Sequence, residues 1–264
     1  MLKTIYPKTA FLDLETVPDI ALGRDVYGIS EDASDDDALK IIYERNGATA
    51  ENPTPFLKPM FHKIIVSGMI FRSVKLIEGK QKVELQILTL PSFRAGLEPV
   101  SEKEMIQRPL TFIGRNQAQV VGWNIDSFDW PVLIQRGLRN GVVVPDVCNR
   151  PEKPWDRSPN DYFAKYTGAR IDLMKIVAGE MGFGSNPKLS DTAIALGLPG
   201  KEGMDGSKVY DAWKDGRIAE IVKYCNHDCA MTYQIWLRVA MMAGLLSIEQ
   251  VESEMNQLAQ LLEA

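Results

Sequence analysis

The feature that most constrains this chain is a short apolar strand carrying two acids on one side. Residues 9–14, TAFLDL, read as a short buried strand, and Glu15 follows directly. Side chains alternate along a strand. Asp13 and Glu15 therefore project together, while Leu12 and Leu14 point into the opposite layer. Two adjacent carboxylates repel each other and are costly to bury unless a cation compensates. Hard divalent ions with oxygen ligands are their natural partner. A strand entering a core does not ordinarily spend two positions this way, although the spacing alone occurs by chance in many proteins.

The rest of the chain supplies the layers that such a strand needs. Residues 64–71 (IIVSGMIF) and 83–90 (VELQILTL) read as strands, with a hairpin turn at Glu78-Gly79-Lys80 between them. Residues 101–108 read as a helix, with Ser101 as N-cap and Glu104 completing a capping box. Residues 119–123 (QVVGW) read as a strand and 128–140 as a helix whose first turn holds Pro131. Residues 145–170 look loop-like, 188–197 form a short helix, and 216–243 hold one or two more. A last helix over 248–263 has Ser247 as N-cap and an apolar stripe of Ile248, Val251, Met255, Leu258 and Leu262 packed on its own core. Residues 19–60 have no place in this order and read as an insertion. Within it, Ser34 and Asp35–Asp37 mark a helix N-terminus favoured by the macrodipole. The order predicts an α/β or α+β layer fold with a mixed sheet, and the length of 264 residues suits one large domain better than two small ones.

Composition excludes several classes. With 45% apolar and 25% charged residues the chain is not disordered as a whole. A net charge of -5 disfavours a sequence-independent duplex coat, yet leaves room for an enzyme that binds metal through its own carboxylates. The apolar runs fall far short of the ~20 residues of a membrane helix, and the N-terminus has no apolar core of a secretory signal. Cys148, Cys225 and Cys229, with only His62 and His227 as histidines, read as structural thiols and not as a zinc site. A cytoplasmic protein without membrane association is the expectation.

Two further clusters carry chemistry. Asn124-Ile-Asp-Ser-Phe128-Asp129 follows the strand at 119–123, placing Asp129 early in the next helix, with Asp126 as a solvated loop position. Tyr224 and Asp228 are four apart in a helical stretch and share one face. Each cluster alone is unremarkable. In order, FLDLETVPD, NIDSFDWPVL and KYCNHDCAMTY resemble the three motifs of the DEDD superfamily of 3′–5′ exonucleases, in the subgroup with Tyr in the third motif. The stretch is most similar to the stand-alone bacterial family related to the proofreading domain of family B DNA polymerases. The LSDTAIALGLPGK segment and the Asp172-Leu-Met run fit it too, and the likeness covers residues 9–240. One departure is Ile125, where relatives often have Gly, which bears on the local turn and not on the acids.

That resemblance implies a ribonuclease H-like α/β fold with a mixed, mostly five-stranded sheet flanked by helices. It implies one exonuclease domain over residues 1–264, interrupted by the insertion at 19–60 and closed by the helix at 248–263. Asp13, Glu15, Asp129 and Asp228 would hold two ions, Mg²⁺ or Mn²⁺, whose four positive charges the four carboxylates balance. Such a pair holds the attacking and leaving oxygens of an in-line phosphoryl displacement. Tyr224 would orient the water; a phenol of pKa ≈ 10 is a poor free base. The histidine subgroup's base position is Lys223 here, and His227 points elsewhere on the helix. The substrate implied is a single-stranded 3′ end, DNA in preference to RNA, yielding nucleoside 5′-monophosphates.

Leu14, Thr16, Asn124 and Phe128 are the candidates for contacting the terminal nucleotide, with Trp123 assigned to the core. The segment 150–170 interleaves Arg150, Lys153, Trp155, Arg157, Tyr162, Lys165, Tyr166 and Arg170, a local excess of basic and aromatic residues that suits a strand's backbone and bases. Lys188 and Lys201 are weaker phosphate candidates. Other readings are an RNA exonuclease with the same site and a catalytically silent nucleic-acid-binding module. A Rossmann-type nucleotide enzyme is discounted, because GEMGFG at 179–184 lacks the required spacing.

Overall fold

The computed structural model describes residues 2–153, 158, 160–164, 167–179, 186–199 and 204–263. Its sheet consists of β1 (Lys8–Pro18), β2 (His62–Ile77), β3 (Lys80–Leu90), β4 (Gln119–Gly122) and β5 (Arg170–Asp172), in the spatial order β3-β2-β1-β4-β5. β1 pairs antiparallel with β2, and β2 with β3, through the predicted turn at Glu78 and Gly79. β4 and β5 run parallel to β1 and β4 respectively. The mixed five-stranded α/β architecture is therefore the expected one. The strands β1 to β3 are longer than their apolar runs suggested, because ladder hydrogen bonds continue past the last fully buried side chain.

Ten helices complete the described chain: α1 (Ile20–Tyr27), α2 (Asp35–Arg45), α3 (Glu102–Asn116), α4 (Asp129–Arg139), α5 (Pro145–Cys148), α6 (Leu173–Val177), α7 (Leu189–Ala195), α8 (Val209–Lys214), α9 (Ile218–Met242) and α10 (Ile248–Glu263). The period of two along β1 sorts them into layers. Ala10, Leu12 and Leu14 pack with Ile106, Leu110, Ile113, Val132 and Leu133 of α3 and α4. Phe11 and Val17 lie on the other face, with α9 and α8. Asp13 and Glu15 belong to that second row, so both acids face α9.

α3 runs on to Asn116 instead of ending at residue 108, with Pro109 inside it. The missing N–H forfeits one backbone bond, and the buried face of Met105, Ile106, Leu110 and Ile113 outweighs that loss. The stretch 216–243 is one helix, α9. In α10, Ser247 is the expected N-cap and Gln250 returns the bond to its N–H, but only part of the stripe is interior: Val251 and Leu258 are buried, whereas Ile248 and Leu262 are exposed. A buried Arg72 anchors this helix by donating twice to Glu254 at 2.7 Å, and the Tyr233 hydroxyl donates to the same carboxylate.

Residues 19–60 form a unit whose small core joins Leu22, Ile42 and Leu57 to the following Phe61. Arg136 of α4 ties that unit down. Its guanidinium bonds Glu102 twice at 2.7 Å, Asp19 at 2.7 Å and the Met60 carbonyl at 2.8 Å, and is almost fully buried. Glu102 also accepts the Ile64 N–H at 2.9 Å. Insertion, helix layer and β2 are thus joined at one side chain.

Candidate active site

The site forms where α9 crosses β1. Carboxylate oxygens of Asp13 and Glu15 and the Sγ of Cys225 lie within 4.8 Å of one another. The helix comes this close because β2 presents Gly68 opposite Asp13. A Cβ at Gly68 would sit 2.7 Å from Cys225 Sγ and 3.5 Å from Cys229 Sγ. Cys225 is fully buried, its Sγ 3.5 Å from the Asp13 carbonyl, and burial raises its thiol well above the ordinary value. It is a neutral packing group beneath the acids. Of the three cysteines, all free, Cys148 alone is exposed, a departure from the structural role expected of all three.

Beyond Glu15 the register with β2 shifts: Glu15 faces Val66 and Thr16 faces Ile64. The extra residue, Ile65, raises the local twist where the acids leave the regular ladder.

On α9, Tyr224 and Asp228 stand one turn apart, as the spacing predicted. The phenol is hydrogen-bonded to the Asp228 carboxylate, so it is the donor. Burial first, and then the charges of Asp228, Glu15 and Asp13, push its pKa above the usual range. A phenol in this field holds its proton. Asp228 is buried, and its charge, with those of Asp13 and Asp129, reaches Cys229 below.

Asp129 arrives by a different route. After β4 the backbone turns at Asn124, whose φ of 60° is left-handed, and the Asn124 carbonyl accepts the N–H groups of Ser127 and Phe128. Asn tolerates this conformation without glycine's help. Ile125 is fully buried and packs over Gly122, where any Cβ would lie 2.8 Å from the isoleucine. The departure at Ile125 thus leaves the turn intact. Asp129 opens α4, takes the N–H of Leu14, and is buried. Desolvation is the main cause that pushes its carboxyl up to about 7, with Asp172 and Asp228 adding to it.

The structure thus gathers Asp13, Glu15, Asp129, Tyr224 and Asp228. The predicted substrate contacts divide. The Thr16 hydroxyl lies 2.9 Å from His62 Nδ1. Phe128 packs edge-on against His62 and Phe56, with ring centroids 5.0 and 5.2 Å away. Leu14 is buried and its amide is committed to Asp129, while Asn124 shapes the turn. Trp123 is partly buried and donates to the Pro187 carbonyl at 3.2 Å.

Other expectations need correction. Asp126 is not a solvated loop residue. Arg170 and Lys175 each hold it at 2.7 Å, which depresses its pKa. In the segment 150–170, Tyr162 is fully buried with its hydroxyl on the Ala118 carbonyl at 2.8 Å. Arg170 is spent on Asp126, and Arg150 pairs with Asp161 at 3.2 Å. These contacts tie Tyr162, Arg170 and Arg150 into the fold. Trp155, Arg157, Lys165, Tyr166 and Lys201 lie outside the described residues, as does most of the 179–184 segment. Lys188 caps α7. His227 is half-buried, and its Nε2 has no hydrogen-bond partner among the described residues. Sequence reasoning passed over Phe56, His62, Gly68 and Asp172. Asp172 was noted only as part of a run, yet it lies near enough to Asp129 to raise it, while accepting the Asp126 and Lys175 amides.

A cluster of carboxylates with a donor phenol, held partly out of water, is suited to binding hard cations. Comparison with known proteins agrees in kind. Residues 54–264 match the model of a family described as a predicted 3′–5′ exonuclease related to the exonuclease domain of PolB. The match takes in Asp129, Tyr224 and Asp228 and begins after Asp13 and Glu15. A DNA polymerase of Pyrococcus glycovorans is 28% identical over 176 residues, which is 65% of this chain and 21% of the polymerase. DNA polymerase 1 of Pyrococcus abyssi is 24% identical over 164 residues, 60% of this chain and 20% of the polymerase. The chain spans about a fifth of the length of these curated relatives.

Proposed function

The chain belongs to the family of predicted 3′–5′ exonucleases related to the exonuclease domain of PolB, and we propose that it removes nucleoside 5′-monophosphates from single-stranded DNA 3′ ends. The observation that carries this reading is the meeting of Asp13 and Glu15 from β1 with Tyr224 and Asp228 from α9 and Asp129 from α4. The relatives described above are DNA polymerases, which favours DNA over RNA.

The donor set fits Mg²⁺ or Mn²⁺. It offers carboxylate oxygens, and its one sulfur stays a neutral thiol. A carboxyl driven up to about 7 by burial and by neighbouring acids is one that a cation would return to its ionised form. Asp13, Glu15, Asp129 and Asp228 would hold two such ions, which supply charge for the attacking and leaving oxygens of an in-line displacement. The protein's own contribution is placement. Tyr224, already a hydrogen-bond donor and held protonated, orients the water and does not take its proton. Thr16 and Phe128 flank the acids and face the terminal nucleotide, and the Asn124 turn sets where Phe128 stands. Among the described residues no helix is long and apolar enough to cross a membrane, and all three cysteines are free. Both suit the cytoplasmic location that forms part of this proposal.

The test is a 5′-labelled single strand incubated with Mg²⁺ or Mn²⁺, with and without chelator. A ladder shortening from the 3′ end, abolished by chelator, is expected. Asp13→Ala and Asp228→Ala each abolish it and leave the fold intact; retained turnover in either removes that residue from the mechanism. Tyr224→Phe slows the reaction and keeps metal binding. Faster loss of an RNA strand than of the matching DNA strand would reverse the substrate assignment.

A further inference from the structure

Residues 19–60 share a filled core with Phe61, yet they end in a ring that nothing covers. Phe56 is 69% exposed. Its centroid lies 4.9 Å from that of His62 and 5.2 Å from that of Phe128, and those two are 5.0 Å apart. The three rings form one wall, too closely packed for anything to pass between them.

Hydrogen bonds fix the middle of that wall. His62 Nε2 lies 3.1 Å from the Leu57 carbonyl, which can only accept, so Nε2 carries the proton. Nδ1 then accepts from the Thr16 hydroxyl at 2.9 Å. The ring is neutral, locked from both edges, and bonded next to Phe56 in sequence through Leu57. The wall adjoins the acids along the chain. Thr16 follows Glu15, and Phe128 precedes Asp129. An apolar face adjoining a carboxylate cluster suits a ligand that pairs flat apolar faces with a cation-bridged anionic backbone, which describes a single-stranded nucleic acid.

We infer that Phe56 is a base-stacking residue, by which the segment 19–60 holds a base of the single-stranded 3′ end in front of the acids. The inference deepens the exonuclease reading and rests on it. Stacking on an aromatic side chain is tolerant of base identity. Phe56 therefore contributes grip and position and no sequence preference.

The experiment compares wild type, Phe56→Ala and Phe56→Trp on two DNA single strands, one ordinary and one whose last two 3′ nucleotides are abasic. On the ordinary strand Phe56→Ala raises KM about five- to hundred-fold, with kcat changed far less, and Phe56→Trp restores it. On the abasic-ended strand the three proteins have the same KM. An unchanged KM for Phe56→Ala on the ordinary strand, with wild type active, overturns the inference and leaves the exonuclease reading standing. An equal defect on both strands also overturns it, because the loss would then come from the loop and not from a base. A wild type that shortens neither strand overturns both readings. Phe56→Ala keeps the wild-type circular dichroism spectrum, so its KM defect reads the lost ring and not a lost fold.

Discussion

Gly68→Ala is the smallest change that should part α9 from the sheet. Gly68 lies opposite Asp13 in β2, and the added methyl carbon would stand 2.7 Å from Cys225 Sγ and 3.5 Å from Cys229 Sγ. Both cysteines are buried, so neither sulfur has free space to enter. Overpacking of this kind costs roughly 1–3 kcal/mol, which for a chain of this size lowers Tm by roughly 2–12 °C. The effect on turnover should be larger than that on stability. The displaced turn carries Tyr224 and Asp228, and a shift near 1 Å at reacting groups costs about a hundredfold in rate. The assay is urea unfolding in chelator for wild type, Gly68→Ala, Cys225→Ala and the double variant, with strand hydrolysis in parallel. Cys225→Ala removes the clashing sulfur, so the double variant should be more stable than the sum of the single losses by roughly 0.5–3 kcal/mol. A Gly68→Ala protein as stable and as active as wild type, or strict additivity in the double variant, would refute this reasoning.

Two further perturbations have defined outcomes. Arg136→Ala leaves Glu102 and Asp19 buried without their shared cation, at a cost of roughly 3–5 kcal/mol; urea unfolding reads the loss, and a change near zero would show that the network is incidental. His62 is driven down to about 4 mainly by burial, so its stabilising contribution is complete above pH 6.5 and is lost as pH falls from 6.5 towards 4. At 1.36 kcal/mol per pKa unit the full loss is on the order of 3–3.5 kcal/mol, and Gln, which keeps one donor and one acceptor, should abolish it. Asp129 slopes the other way: with no cation added, its raised carboxyl makes ionisation cost stability as pH climbs from about 4 to about 7. Asp129→Asn should remove that slope, as followed by melting temperature against pH in chelator.

The parts of the site that sequence reading located are those governed by short periods. Asp13 and Glu15 share a face because strands repeat every two residues, and Tyr224 and Asp228 because a helix repeats every 3.6. Asp129 was found through Pro131, which marks the helix start. What escaped depends on partners far along the chain. Asp126 looked solvated because Arg170 and Lys175, which neutralise it, lie 44 and 49 residues away. Tyr162 and Arg170 looked like a nucleic-acid grip because nothing local says that one is interior and the other ion-paired. Phe56 belongs to an insertion with no recognisable period and His62 opens β2, and both meet Phe128, more than sixty positions on, only in the folded chain. The length of α3 was underestimated because a rule against proline inside helices yields to a well-buried face.

Electron paramagnetic resonance of Mn²⁺ titrated into the protein measures directly whether these carboxylates cage cations. The account predicts about two bound ions per wild-type chain, with at least one lost in Asp13→Asn and in Asp228→Asn while both variants keep the wild-type circular dichroism spectrum. Wild type that leaves all the Mn²⁺ free at millimolar concentration, or variants that bind as many ions as wild type, would contradict it.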